Sequence, residues 1–168
     1  IAELGFGTGL GLLVAWQAWR AAGAPGRLTF TSFEAFPMEP GDRARALAAF
    51  PELAALADAL ATVTGGGTFA LGDGVTLALV EGDARRTLPA WEGKADAWFL
   101  DGFAPDKNPE LWEPALMAEV ARHTAPGGSF ATYTAAGHVR RALAGAGFTV
   151  ERVPGYGRKR HMSRGRLA

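Results

Sequence analysis

The chain has 168 residues, 48% of them hydrophobic and 20% charged, with 23 glycines and no cysteine. That is enough for one domain with its own core, and it excludes a disordered tail, a disulfide-stapled scaffold and a metal site built on cysteine. The net charge of zero is uneven: residues 1–137 hold nine Lys/Arg against sixteen Asp/Glu, a net of −7, and residues 138–168 hold eight against Glu151 alone, a net of +7.

Ile1–Leu4 reads as a short apolar strand ending in Gly5-Phe6-Gly7-Thr8-Gly9. A chain that opens already inside a strand is expected to lack an N-terminal segment. Leu10 to about Ala22 is apolar and alanine-rich, a helix stopped by Gly23 and Pro25. Arg27–Ser32 is the second strand, closing on Glu34, and Asp42 to about Ala61 is helical with a break at Pro51. Thr68–Leu71 and Val75–Glu81 flank Gly72-Asp73-Gly74 as a hairpin, whose second arm is the third core strand. A short helix over Ala84–Ala90 leads to Ala95–Leu100, a continuous apolar run that fits a buried central strand. Glu110–Thr124 is helical, Ser129–Thr134 a fifth strand, Ala136–Ala146 a helix, Phe148–Val153 a sixth strand, and the tail from Arg160 a seventh. Strand alternating with helix predicts one domain over 1–168: an α/β, doubly wound, mostly parallel seven-stranded Rossmann-like sheet. Ligands bind such sheets beyond the carboxyl ends of the strands, where the strand order reverses.

The chemistry-bearing residues stand at those ends. Glu3, Gly5, Phe6, Gly7, Thr8 and Gly9 form E-x-G-x-G-x-G before a helix, where glycines allow close backbone approach and the helix terminus supplies N–H donors. Every Gly-x-Gly-x-x-Gly frame fails, at Leu10, Leu12 or Val14, which argues against a dehydrogenase and for the pattern that binds S-adenosylmethionine. Glu34, 25 residues after Gly9, is placed to accept both hydroxyls of a ribose. Asp83, with Ala84 beside it, either accepts the exocyclic amine of adenine or simply caps the next helix. Asp101 follows Trp98-Phe99-Leu100 at the mouth of the buried strand, so it must be solvated in a cleft or paired, unless it only caps the turn into Gly102. Phe103 and Pro105 beside it are a flat apolar wall for a base, or packing. Tyr156 interleaved with Arg158, Lys159 and Arg160 combines stacking with phosphate contact, a route to single-stranded nucleic acid. The bland alternative is a solvated terminus. The three histidines show no metal spacing, and no nucleophile–base pair is evident. No apolar run reaches the roughly 18 residues of a membrane span and no signal peptide opens the chain, so no membrane partner is expected and the cytoplasm is the default location.

Ile1–Gly9 (IAELGFGTG), Trp98–Pro105 (WFLDGFAP) with Lys107-Asn108-Pro109 and Trp112, Thr132–Arg141 (TYTAAGHVRR) and Gly155–Met162 (GYGRKRHM) together resemble the methyltransferase domain of the MnmC family. These are bifunctional tRNA 5-methylaminomethyl-2-thiouridine biosynthesis proteins, with stand-alone relatives. The resemblance implies a class I fold and S-adenosylmethionine-dependent methylation of the primary amine of 5-aminomethyl-2-thiouridine at the tRNA wobble position. It implies that the glycine loop, Glu34, Asp83 and Ala84 hold the cofactor and that Asp101 lies beside the methyl. Phe103, Pro105, Lys107, Arg158, Lys159 and Arg160 would then meet tRNA. An FAD-dependent oxidoreductase would be a fused or separate partner outside this chain. Two other readings stay open: methylation of a small-molecule amine, and an inactive RNA-binding module of the same fold.

Overall fold

Strands and helices alternate around one mixed sheet in the computed structural model, which describes residues 1–23, 26–157 and 159–168. In chain order these are β1 (Ala2–Leu4), α1 (Leu10–Ala21), β2 (Leu28–Glu34), α2 (Pro40–Leu47), α3 (Ala54–Ala57), β3 (Gly67–Gly72) and β4 (Val75–Glu81). Then come α4 (Ala84–Thr87), β5 (Ala95–Leu100), α5 (Pro114–Arg122), β6 (Thr124–Thr132), α6 (Gly137–Gly145), β7 (Phe148–Pro154) and β8 (His161–Leu167). The spatial order is β3-β4-β2-β1-β5-β6-β8-β7, and only β3 and β8 run against their neighbours.

All seven expected strands are present, and the outer arm of the hairpin makes an eighth at the β4 edge. Asp73 (φ 51°) and Gly74 (φ 74°) both take the left-handed conformation, as a tight two-residue hairpin turn requires. Prolines explain most shifts at helix ends. Pro40 opens α2 two residues early, Pro51 breaks the segment as expected, and Pro114 splits the predicted 110–124 helix into a 3₁₀ turn and α5. Pro89 disfavours helix at Leu88, so α4 ends at Thr87.

The sheet is covered on both sides, so the doubly wound expectation holds. Phe30, Leu77 and Phe99 pack beneath α1, α2 and α3, while Phe33, Trp98, Leu100 and Phe130 pack against α4, α5 and α6. Successive residues of a strand face opposite ways, so one apolar run, Trp98-Phe99-Leu100, feeds both cores. The buried Arg43 donates to the carbonyls of Met38, Leu60 and Val63 and lies 5.6 Å from the Phe6 ring centre. It thereby ties the α2 region to the loop that follows β1.

Candidate active site

The strand order reverses at β1. The chain leaves β1 toward β2 on one side, and β4 sends it back to β5 on the other. The Gly5 N–H donates to the Phe33 carbonyl at 3.0 Å and the Asp101 N–H to the Leu4 carbonyl at 3.1 Å, so three loops leave the sheet side by side. Gly5 has φ +91°, and a methyl built on it would stand 3.1 Å from the Asp101 carbonyl oxygen. Gly7, at φ +52°, has nothing within 4 Å of that position and opens on free space, and Gly9 caps α1 at φ +80°. Glu34 closes the far side: its Oε2 accepts from the Gly7 N–H at 3.1 Å and its Oε1 from the Phe36 N–H at 2.9 Å. Each oxygen keeps a lone pair, which suits a carboxylate that takes two neighbouring hydroxyls.

Asp101 faces a cleft of about 260 Å³ shared with Thr132, Tyr133, Tyr156, Lys159 and Met162. Two hydrogen bonds pin its loop: Tyr133 OH donates to the Gly102 carbonyl at 2.7 Å, and Trp112 Nε1 to the Phe103 carbonyl at 2.9 Å. Among the described residues none donates to the Asp101 carboxylate, and burial raises its pKa above the usual aspartate value. Burial, then Asp101 and Asp106, push the Tyr133 phenol up as well, so it stays a hydrogen-bond donor at neutral pH. Larger hollows, of about 460 and 410 Å³, lie between α5 and α6 and beside α2, away from the strand ends. Among the described residues no group of three His, Asp or Glu could hold a metal, and no helix is long and apolar enough to cross a membrane.

Several other candidates are engaged within the fold. Glu3 is buried, accepts from Ser32 Oγ at 2.7 Å, and burial raises its pKa well above the usual 4.5. Its Oε1 occupies the space a side chain on Gly11 would need, which is why α1 carries glycine there. The side chains of Phe6 and Ala84 point into the two cores, leaving backbone toward the site. Asp83 caps α4, accepting from the Arg85 N–H at 2.9 Å, and also pairs with the Arg85 guanidinium at 2.6 Å. The Arg85 hydrogen bonds hold its carboxyl below the usual range. Thr8 flanks the glycine loop half-buried; Phe103, Lys107, Lys159 and Arg160 are exposed, and Pro105 is half-buried. Phe103, Pro105 and Lys107 do not line the Asp101 cleft, whereas Lys159 does, its ammonium 5.0 Å from the Tyr133 ring centre. Arg158 lies outside the described residues. The residue-by-residue reading passed over Thr132, Tyr133 and Met162, which reach the cleft through pairing of β6 with β8. Thr132-Tyr133 opens one of the family blocks and Met162 closes another, and that resemblance is their signal in the sequence.

A model of the family described as S-adenosyl-L-methionine-dependent methyltransferase matches residues 52–168. The tRNA 5-methylaminomethyl-2-thiouridine biosynthesis bifunctional protein MnmC of Chromobacterium violaceum is 52% identical over 175 residues, covering 100% of this chain and 26% of that protein. The protein of the same name from Pseudomonas aeruginosa is 51% identical, with 98% and 26% covered. The chain thus spans about a quarter of the length of the curated relatives it matches. Among solved structures, MnmC2 from Aquifex aeolicus superposes with a TM-score of 0.76 at 30% identity, covering 99% of this chain and 52% of that one. The glycopeptide N-methyltransferase MtfA complexed with S-adenosyl-L-homocysteine shares the fold, with a TM-score of 0.59 at 16% identity and 99% and 80% covered.

Proposed function

The chain belongs to the S-adenosyl-L-methionine-dependent methyltransferases, and from that premise we propose that it methylates the primary amine of 5-aminomethyl-2-thiouridine at the tRNA wobble position. The observation that carries the reading is Asp101: a carboxylate with free acceptor capacity, in backbone contact with the glycine loop and open to a cleft walled by tyrosines. The residues fit the cofactor, because the space before Gly7 is open and both Glu34 oxygens retain acceptor capacity. In this reading Glu34 takes the ribose hydroxyls, the glycine loop lies against the ligand, and Asp83 reaches the adenine amine from its capping position.

When bound, S-adenosylmethionine supplies a methyl already activated on a sulfonium. The chain's own task is to align the amine and remove its proton. An alkyl amine has a lysine-like pKa near 10.4, so at pH 7 the unreactive ammonium is favoured by about three pK units, or about 4 kcal/mol. Asp101 is the acceptor or relay for that proton, and the partial desolvation of its carboxylate at the cleft, which raises its proton affinity, works in the required direction. Holding the nitrogen in line offsets a further several kcal/mol. The relatives are named bifunctional. In this reading their second activity is an FAD-dependent oxidoreductase, fused or separate, and tRNA in the cytoplasm is the shared substrate. Nucleoside mass analysis of undermodified tRNA incubated with the chain and S-adenosylmethionine tests the reading. One methyl should appear on the wobble aminomethyl group, and an unchanged wobble nucleoside refutes it.

A further inference from the structure

The Asp101 cleft has an aromatic wall with no packing duty. Tyr156 is 93% exposed, and it lines the cleft together with Asp101. It is held there by a tight turn between β7 and β8, in which the Gly155 N–H donates to the Arg160 carbonyl at 3.2 Å and the Lys159 N–H to the Tyr156 carbonyl at 3.1 Å. A side chain on Gly155 would collide with the Lys159 carbonyl, so the turn is built around a glycine. The cleft's other tyrosine is engaged: Lys159 lies over the Tyr133 ring and the Tyr133 hydroxyl donates to Gly102. Phe99 packs into the α1 core. Phe103 is 76% exposed but does not line this cleft. That leaves Tyr156 as the cleft aromatic with a ring face open to a ligand.

We propose that Tyr156 is a substrate-binding residue, on whose ring the nucleobase of the substrate stacks so that its amine-bearing substituent extends toward Asp101. The inference rests on the tRNA reading above. The volume of about 260 Å³ lies just below the roughly 300–1,000 Å³ of sites that enclose whole small molecules, which suits one ring and its substituent entering from an extended strand. Stacking on a tyrosine face is tolerant of base identity, so Tyr156 supplies affinity for an unstacked base and leaves discrimination of the substituent to the Asp101 end.

The test compares binding of two anticodon stem-loops, one carrying 5-aminomethyl-2-thiouridine at the wobble position and one abasic there. The unaltered chain should bind the first more tightly by about 5- to 150-fold, the range for one base–aromatic stack. Tyr156→Ala should erase that preference, Tyr156→Trp should keep it, and both should bind S-adenosylmethionine as the unaltered chain does. A Tyr156→Ala protein that still prefers the base-bearing loop overturns the proposal. Equal binding of both loops by the unaltered chain overturns it too, while methyl transfer to tRNA would leave the function reading standing. Binding of neither loop, with no methyl transfer, removes both.

Discussion

Gly7 and Gly5 are two residues apart, both with positive φ, and their replacement by alanine should fail in different ways. At Gly7 (φ +52°) an alanine stays inside the left-handed well, at about 1–2 kcal/mol, and its methyl meets nothing within 4 Å. The folded protein should survive with a melting temperature lowered by about 2–8 °C. That methyl projects into the space assigned to the cofactor, where an added methylene in a filled site costs about 1–3 kcal/mol, or about 5- to 150-fold in Kd. At Gly5 the same strain is joined by contacts of 3.1 Å to the Asp101 carbonyl, 3.2 Å to Gly102 Cα and 3.3 Å to Gly102 N. These are backbone atoms, so the Asp101 loop must shift by a few tenths of an ångström. Gly5→Ala should therefore lose about 2–4 kcal/mol of stability and lose methyl transfer out of proportion to cofactor affinity. Thermal unfolding and titration calorimetry with S-adenosylmethionine separate the two variants. A Gly7→Ala protein that folds and binds S-adenosylmethionine with unchanged Kd would refute the reasoning, because the open space before Gly7 would not be where the ligand lies.

Glu34→Ala should weaken S-adenosylmethionine binding by about 1.5–3 kcal/mol, the worth of charge-assisted hydrogen bonds; calorimetry on the folded variant checks it, and unchanged affinity removes the ribose assignment. Asp101→Asn should leave cofactor affinity within about twofold while single-turnover methyl transfer falls about 10²–10⁴-fold; near-normal turnover at neutral pH would mean that solvent takes the proton. Glu3 binds its proton more tightly folded than unfolded, so its contribution to stability is present in full below its ordinary pKa of 4.5 and is lost as pH rises through the raised folded value. Glu3→Gln keeps the Ser32 contact without the ionisation, so denaturant midpoints should show the variant gaining on the parent protein as pH rises from 4.5; parallel pH profiles would show that Glu3 does not titrate differently in the fold.

What was legible in the sequence is what is local. The glycine loop, Glu34 and Asp101 each stand where a strand stops and a turn begins, and backbone conformation at such junctions is written in the neighbouring residues. Element ends were legible where a proline was read as a breaker, as at Pro51. They slipped where a proline was not read so, as at Pro114 and Pro89, and the hairpin's outer arm was recognised without its addition to the sheet edge. For Glu3, residue type alone suggests a ligand contact. Its burial follows from the parallel neighbours β2 and β5 on both sides of β1 and from Gly11 above it, which no local pattern announces.

The cleft wall is the non-local part, and one topological step creates it. β8 enters antiparallel between β6 and β7, pairing Thr132 with Ser163 and Pro154 with His161. That pairing turns the chain back at the carboxyl end of β6, and so sets Tyr156, Lys159 and Met162 beside Asp101 although more than fifty residues separate them in sequence. The same step divides the basic segment. Arg164 pairs with Glu151 at 3.1 Å across the β7–β8 ladder, and Arg166 donates to the Gly127 carbonyl at the opposite end of β6. These two charges are committed within the sheet, on the strand that β6 and β7 flank. Lys159 and Arg160 are exposed on the turn at the cleft, so if Tyr156 takes the base as proposed, these two charges stand beside it to meet a phosphate backbone.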